Sequence, residues 1–405
     1  MATVGPAGRP QDLDNRNRDA LFARAEERPF NVVVIGGGIA GASAAYELQA
    51  RGSTRLLERE PLAGQHTTGR SAAFLVESYG KPIVRQLTRA TRRFLDSLPD
   101  DFARNPILHP RPSLTIARED QHQRLVETVK LAAEAGVHRE EVDVRTAEAM
   151  CPVLRSGYLA AAVVDPDDQG IDVGGLLDGY LRGFRARGGV VSTAAEVTGL
   201  SQVGAAWEVR CGGERFATKV VVNAAGAWGE RVGALAGARP IGLRPLRRTA
   251  ITFDPPAGMD IRGWPCVIDA DEDFYLKPEG VQLLASPCDE EPSEPCDAVP
   301  DDLGIALAAE RVQRATTLAL RHINRSWAGL RSFVADRGPV IGMDAGRPGF
   351  FWLVGQGGFG IMTSAAAARA TAGLIVDGDL PGELRSYGLE ASDLSPERSG
   401  LGREH

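Results

Sequence analysis

The chain has 405 residues, 43% of them hydrophobic, and a net charge of -7 with an isoelectric point near 5.6, which allows two or three domain-sized units with real cores and leaves no basic footprint for a nucleic acid. Its five cysteines are odd in number and scattered, excluding a secreted disulfide framework and a C-x-x-C metal site, and no metal is expected. No window reaches the roughly 18 apolar residues of a membrane span, and Met1–Arg28, polar and arginine-rich, reads as a disordered tail without a secretory signal, so the expected location is cytoplasmic.

The first informative stretch runs from Phe30 to Glu60. Val32, Val33, Val34 and Ile35 form the β-branched run of a parallel strand buried on both faces. Gly36, Gly38 and Gly41 follow at G-x-G-x-x-G spacing: the first permits a tight turn, the second lets backbone approach a pyrophosphate, and the third lets a helix lie close on the sheet. Ala42–Ala50 reads as that helix, with its N-terminal amides toward the phosphates. A second strand, Thr54–Leu57, ends at Glu58, 22 residues after Gly36, where an acid takes ribose hydroxyls. Together these define a site for an adenine dinucleotide.

Gly64–Gly80, GQHTTGRSAAFLVESYG, is rich in small and hydroxyl residues and reads as a loop or helix start against a cofactor, with Arg70 able to engage pyrophosphate oxygens. Gln86–Leu98 has helical periodicity, with Leu87, Thr91, Phe94, Leu95 and Leu98 on one face. Ile107–Ala117 reads as a strand entered through prolines, Asp120–Ala135 and Thr146–Met150 as helices, Gly157–Asp165 as a strand, and Val173–Arg187 as a helix after the turn PDDQG. Gly188–Thr198 and Trp207–Cys211 read as strands.

In Ala217–Trp228 a buried strand runs into Ala224, Ala225 and Gly226, a second small-residue crossing that could approach the same ligand at the carboxyl edge of a parallel sheet. Ile241–Ser332 has antiparallel-sheet character, in RPLRRTAITF, FYLKPEGVQLLAS and WAGLRSFV. Strands return at Gly338–Gly342 and Phe350–Gly355. They are followed by glycines and an alanine-rich helix whose N-terminus would aim at the ligand, and Ser392–His405 reads as a frayed tail. The expected fold is α/β: a dinucleotide-binding Rossmann-like domain with an inserted α+β substrate domain carrying an antiparallel sheet. Its expected division is a tail at 1–29, a discontinuous cofactor domain at 30–105, 170–240 and 333–391, a substrate domain at 106–169 and 241–332, and a tail at 392–405.

VIGGGIAGAS, LERE, GQHTTGRSAA, VNAAGAW, FYLKP, SWAGLRSFVAD and QGGFGI, over roughly Asn31–Pro396, resemble the D-amino acid oxidase and glycine oxidase family of FAD enzymes, and within it most closely the D-arginine dehydrogenase branch. The resemblance implies a noncovalent FAD as the dinucleotide of the Rossmann-like domain, a curved antiparallel sheet over the substrate, and oxidation of a Cα–N bond by hydride transfer to flavin N5. Carried over position by position, it implies cofactor contacts at Gly36, Gly38, Ala40, Gly41, Glu58, Arg59, Thr67, Thr68, Gly69, Arg70, Ser71, Ala72, Ala73, Phe74, Val197, Ala225, Gly226, Gly357, Gly358, Phe359, Gly360, Ile361 and Met362. It implies substrate contacts at Tyr79, Arg248, Tyr275, Arg331 and the carbonyl of Gly358, where a guanidinium can hold an α-carboxylate by two parallel hydrogen bonds.

Ser113 stands where that branch has a glutamate facing a cationic side chain, Phe74 replaces a histidine, Phe359 a tyrosine and Met362 a glutamine. These departures point away from arginine or lysine toward neutral, apolar or aromatic side chains. The partners expected are an amino-acid substrate and an electron acceptor, oxygen or a quinone. Competing readings are glycine, an N-substituted amino acid or a 2-hydroxy acid as substrate, a nicotinamide dehydrogenase, and a scaffold without catalysis.

Overall fold

Val32, Val33, Val34 and Ile35 are apolar at every position because their strand, Asn31–Ile35, has a core on each face, as seen in a computed structural model that describes residues 31–134 and 136–401. The strand lies inside a six-stranded sheet ordered Val340–Met343, Phe350–Val354, Val220–Asn223, Asn31–Ile35, Ser53–Leu57, Val190–Ser192, parallel except for the outermost Val340–Met343. Val32 and Val34 enter a core shared with the helices Ile39–Gln49, Val173–Ala186 and Ser364–Val376. Val33 and Ile35 enter another, shared with Trp207 and Val209 of a three-stranded antiparallel sheet and Val232 and Ala236 of the helix Gly229–Ala236. The two small-residue crossings are neighbours: Ile35 pairs with Asn223, so Gly36 and Ala224 leave the sheet side by side at its carboxyl edge.

The second large sheet has nine strands and is mostly antiparallel. Arg244–Phe253 pairs, from Arg244 through Thr252, with Arg325–Phe333, placing Leu246 opposite Arg331 and Arg248 opposite Gly329. Through Gln282–Ser286 and Tyr275–Glu279 it continues to Cys266–Asp269, Ser113–Ala117 and Ala161–Asp165. Leu114, Ile116, Ile251, Phe253, Leu283 and Ala285 bury against the helix Asp302–Ala315 and the Trp264 loop. Trp327, Gly329 and Arg331, at the two-residue period of a strand, line a cavity between the two sheets.

The amphipathic segment expected at Gln86–Leu98 is the helix Pro82–Leu95, with Leu87, Thr91, Phe94 and Leu95 buried as its periodicity requires. Several expectations are corrected. Ile107–Ala117 is two strands in different sheets, Leu108–Pro110 and Ser113–Ala117, because Arg111 and Pro112 break the run. Gly188–Thr198 likewise splits into Val190–Ser192 of the parallel sheet and Val197–Val203 of the three-stranded one. The helix Gly229–Ala236 follows the crossing in a stretch given no element, and the helix Asp302–Ala315 falls within the stretch read as sheet. Ser392–Leu401 is packed rather than frayed: Leu394 and Leu401 are buried and Arg398 pairs with Asp336 at 2.7 Å. The expected tail at Met1–Arg28 lies outside the described residues.

Candidate active site

Gly36 turns with φ +109°, and a Cβ there would sit 2.4 Å from the Ala224 carbonyl oxygen, so only glycine lets the two crossings run this close. The helix Ile39–Gln49 opens at Gly38, which has no side chain to cap it, and Gly38, Ile39 and Ala40 bring this helix end to the cavity wall. Glu58, buried at the end of its strand, accepts hydrogen bonds from Gly37 N at 2.6 Å and Glu60 N at 2.8 Å. Thr68 Oγ1 accepts from Ile39 N at 3.0 Å, tying the GQHTTG loop to the helix start.

These elements wall a cavity of about 570 Å³. Of the expected cofactor contacts, Gly36, Gly38, Ala40, Glu58, Arg59, Thr67, Thr68, Arg70, Ser71, Ala72, Val197, Ala225, Gly226, Gly357, Gly358, Gly360 and Ile361 line it. Gly41, Gly69, Ala73, Phe74, Phe359 and Met362 do not. Gly41 and Gly69 pack tightly on the carbonyls of Gly36 and Gly64. Phe74 starts a short strand and lies 5.6 Å from Lys277 Nζ. Phe359 stacks edge-on against Tyr79 at 5.3 Å, and Met362 is buried in the helical core. Arg70 is also corrected: its guanidinium, aimed at a pyrophosphate by sequence reasoning, donates to the Ala298 carbonyl at 2.7 Å and the Ala328 carbonyl at 2.9 Å and pairs with Asp297. With Thr67 Oγ1 donating to Leu330 O at 2.8 Å, it fastens the cofactor loop to the antiparallel sheet.

At the antiparallel-sheet end the cavity reaches Arg248, Ala250, Tyr275, Trp327 and Arg331. Arg248 is buried and engaged, donating from Nε to Asp289 O at 2.7 Å and pairing with Glu290 at 3.4 Å; Glu290 is shared with Arg337 at 2.7 Å. Arg331 differs: it is half-buried, and no hydrogen bond or ion pair joins its guanidinium to another described residue. A Cβ at Gly358 would lie 2.8 Å from Arg331 Nη1, so the guanidinium rests against glycine backbone in the QGGFG loop. Burial raises the Tyr275 hydroxyl above its ordinary value, against the pull of Arg331 and Arg248. Tyr79 stands beside this group outside the cavity lining: its hydroxyl donates to Glu272 at 3.0 Å, and burial raises it strongly. Cys288 lies among the same groups, its thiol pushed up to about 11 by burial despite Arg248 and Arg331.

Ser113 does not line the cavity; it is buried and donates to Asp168 at 2.6 Å. Sequence reasoning also missed Trp327, which lies two and four residues from Gly329 and Arg331 on the same strand face and was legible from that period, and Trp228, Ser332 and Gln356. In two of these lining residues a buried atom, Ser332 Oγ or Gln356 Nε2, has no hydrogen-bond partner among the described residues. The glycine cradle at Gly36 and Gly38 and the helix end at Ile39 and Ala40 fit a long polar dinucleotide.

A parallel sheet whose carboxyl edge opens into a cavity roofed by an arginine- and tyrosine-bearing sheet defines a dinucleotide-dependent enzyme class. The particular cofactor follows from the comparisons: residues 31–374 match the model described as "DAO: FAD dependent oxidoreductase", and the chain belongs to that family, with FAD as its cofactor. It is 26% identical to human mitochondrial sarcosine dehydrogenase over 91% of this chain, spanning only 42% of that protein's length. It is 24% identical to the hydrogen cyanide synthase subunit HcnC of Pseudomonas aeruginosa over 89% of this chain and 95% of the relative. Glycine oxidase from Geobacillus kaustophilus shares the fold with a TM-score of 0.80 at 20% identity, covering 93% of this chain and 100% of that one.

Proposed function

We propose that the protein oxidises the Cα–N bond of a free α-amino acid, of D configuration and with a neutral side chain, giving an imine that water hydrolyses to a 2-oxo acid and ammonia. The observation that carries this reading is Arg331, a guanidinium in the cavity wall with no hydrogen-bond or ion-pair partner among the described residues, set against the backbone of Gly358. It can take an α-carboxylate by two parallel hydrogen bonds, and the Tyr275 hydroxyl, kept protonated by burial, can add a third. Arg248, already held by Asp289 and Glu290, supports the positive field.

Bound FAD supplies the two-electron acceptor. We take it to be bound noncovalently, a reading supported by the lack of a cysteine among the described lining residues; colour left on an acid-precipitated pellet would refute this. The chain's own part is to fix the carboxylate, present Cα to the cofactor side, and surround the side chain with Ala250, Tyr275 and Trp327. The resemblance to the D-arginine dehydrogenase branch supports the D configuration. A second reading, an N-substituted amino acid such as sarcosine, is favoured by the relation to sarcosine dehydrogenase across 91% of this chain.

One experiment separates the two: anaerobic bleaching of the flavin by D- and L-amino acids, glycine, sarcosine and 2-hydroxy acids. Faster bleaching by D-Met or D-Phe than by sarcosine or any L-amino acid is the expected result. Bleaching by sarcosine alone selects the second reading, and bleaching by hydroxy acids alone overturns both.

A further inference from the structure

We infer that Arg337 is a positioning residue for the carboxylate site: it holds Glu290 away from Arg331, so that Arg331 stays open to a substrate carboxylate. Arg331 and Arg248 share one face of the antiparallel sheet, since Arg331 pairs with Leu246 and Arg248 stands two residues further along that strand. Glu290 stands beside this pair. The backbone before it is pinned: Asp289 O accepts from Arg248 Nε at 2.7 Å, and the Asp289 carboxylate accepts from Thr249 N at 2.7 Å and Thr249 Oγ1 at 2.8 Å. With its neighbour tied down, Glu290 meets one cation or another through its side-chain torsions.

Those torsions turn it outward. Arg337 takes both Glu290 oxygens, Nη1 donating to Oε2 at 3.0 Å and Nη2 to Oε1 at 2.7 Å, the two-pronged match of a guanidinium to a carboxylate. Arg248 Nη2 reaches Oε1 only at 3.4 Å. Arg331 makes no such bond, yet its charge acts on Glu290 together with those of Arg337 and Arg248. Although burial opposes the charge, these guanidiniums hold the Glu290 carboxyl below its usual range. An ionised acid in that place competes for any guanidinium left within its reach.

Arg337 is itself built into place. It has φ +59°, a backbone setting that favours glycine over a side chain. The turn is fixed by Arg337 N donating to Val334 O at 2.9 Å, Gly338 N donating to Asp336 Oδ1 at 2.9 Å, and Arg398 pairing with Asp336 at 2.7 Å. The guanidinium lies 3.8 Å over the ring of Phe333. That ring fills the space a side chain at Gly357 would need, with Phe333 Cε1 2.0 Å from where a Cβ would sit. Phe333 therefore supports both Arg337 and the glycine loop against which Arg331 rests.

This inference rests on Arg331 being the carboxylate clamp, and the experiment tests the two apart. Benzoate, a monocarboxylate with no amine to oxidise, is titrated into oxidised holoenzyme and followed by the change in flavin absorbance, with the melting temperature measured on each sample. Arg337→Gly removes the side chain at a φ that glycine adopts freely. It is expected to keep its fold and to weaken benzoate about fivefold, the upper range of a partly exposed ion pair. Arg337→Gly/Glu290→Gln is expected to recover the parent's affinity, since a neutral amide does not compete. Glu290→Gln alone is expected to bind as the parent does, because Arg337 already keeps that charge aside; a gain equal to the loss in Arg337→Gly would mark an effect of net charge and overturn the inference. An Arg337→Gly protein that binds benzoate as the parent does, or a double variant no tighter than Arg337→Gly, overturns it too and leaves the clamp standing. Arg331→Ala is expected to lose benzoate in the same titration. An Arg331→Ala protein that binds it as the parent does, or a parent that binds none, overturns the clamp and this inference with it.

Discussion

Replacing Arg331 with alanine tests the carboxylate clamp most directly. Removal of the side chain breaks no hydrogen bond or ion pair among the described residues, and the lost interaction is the one with substrate. Two charge-assisted hydrogen bonds are worth about 1.5 to 3 kcal/mol each. Arg331 is only half-buried, so solvent screening keeps the total near the lower end, about 3 to 4 kcal/mol, or about a hundredfold to a thousandfold in rate. The assay is stopped-flow flavin reduction under anaerobic conditions with D-Met, read as the second-order rate constant, with flavin content measured on the same sample. Arg331→Ala is expected to keep its flavin and melting temperature and to lose the rate. Arg248→Ala is expected to lose stability as well, because Asp289 O and Glu290 would be left without that partner. An Arg331→Ala protein that reduces its flavin as fast as the parent would refute the clamp and move the role to Arg248.

Arg70→Ala is expected to lower the melting temperature, since the cofactor loop loses its hold on Ala298, Ala328 and Asp297, while leaving the 31P resonances of bound FAD in place; resonances that move would return Arg70 to the phosphates. Asp168 titrates well above an ordinary aspartate, because burial opposes its charge and Asp165 adds repulsion. A folded-state value raised above the unfolded one means that stability is fully present below the unfolded value and is lost as pH rises through the folded one. Melting temperatures of the parent and Asp168→Asn are therefore expected to diverge upward from about pH 4, with the parent falling faster. A constant difference between pH 4 and 8 would contradict the raised value.

The parts of the site that the sequence discloses are those written in local pattern. Gly36, Gly38 and Glu58 are legible because turn, close approach and strand end recur at fixed offsets within one βαβ unit. Arg331 and Trp327 share one face of one strand, so a period of two contains both. What stays hidden depends on partners far along the chain. Arg70 meets Asp297, Ala298 and Ala328 more than 220 residues away, and nothing in GQHTTGRSAA indicates that its charge is already spent. The helix Asp302–Ala315 was within reach: Asp301 caps it by accepting from Gly304 N at 2.8 Å, and Ala308, Val312 and Ala315 repeat on its buried side. Its surroundings, however, have the alternation of sheet, which hides it.

Ser113 marks the boundary between these two kinds of information. Its residue type argues against a counter-charge for a cationic side chain, but its direction was not legible, since Asp168 lies 55 residues on and reaches it only through the turn after Ala161–Asp165. The pairing places a carboxyl behind Ser113 after all. Burial favours the neutral form of that carboxyl, and Ser113 already occupies one of its oxygens. A neutral acid offers a guanidinium far less than an ionised one does. The preference for a neutral side chain therefore no longer rests on Ser113; it rests on the aromatic and small residues Trp327, Tyr275 and Ala250 that line the cavity on the antiparallel sheet. Ser113→Glu would then place a second acid beside Asp168 in a buried spot outside the cavity lining, so it is expected to cost stability without bringing D-Arg into the site.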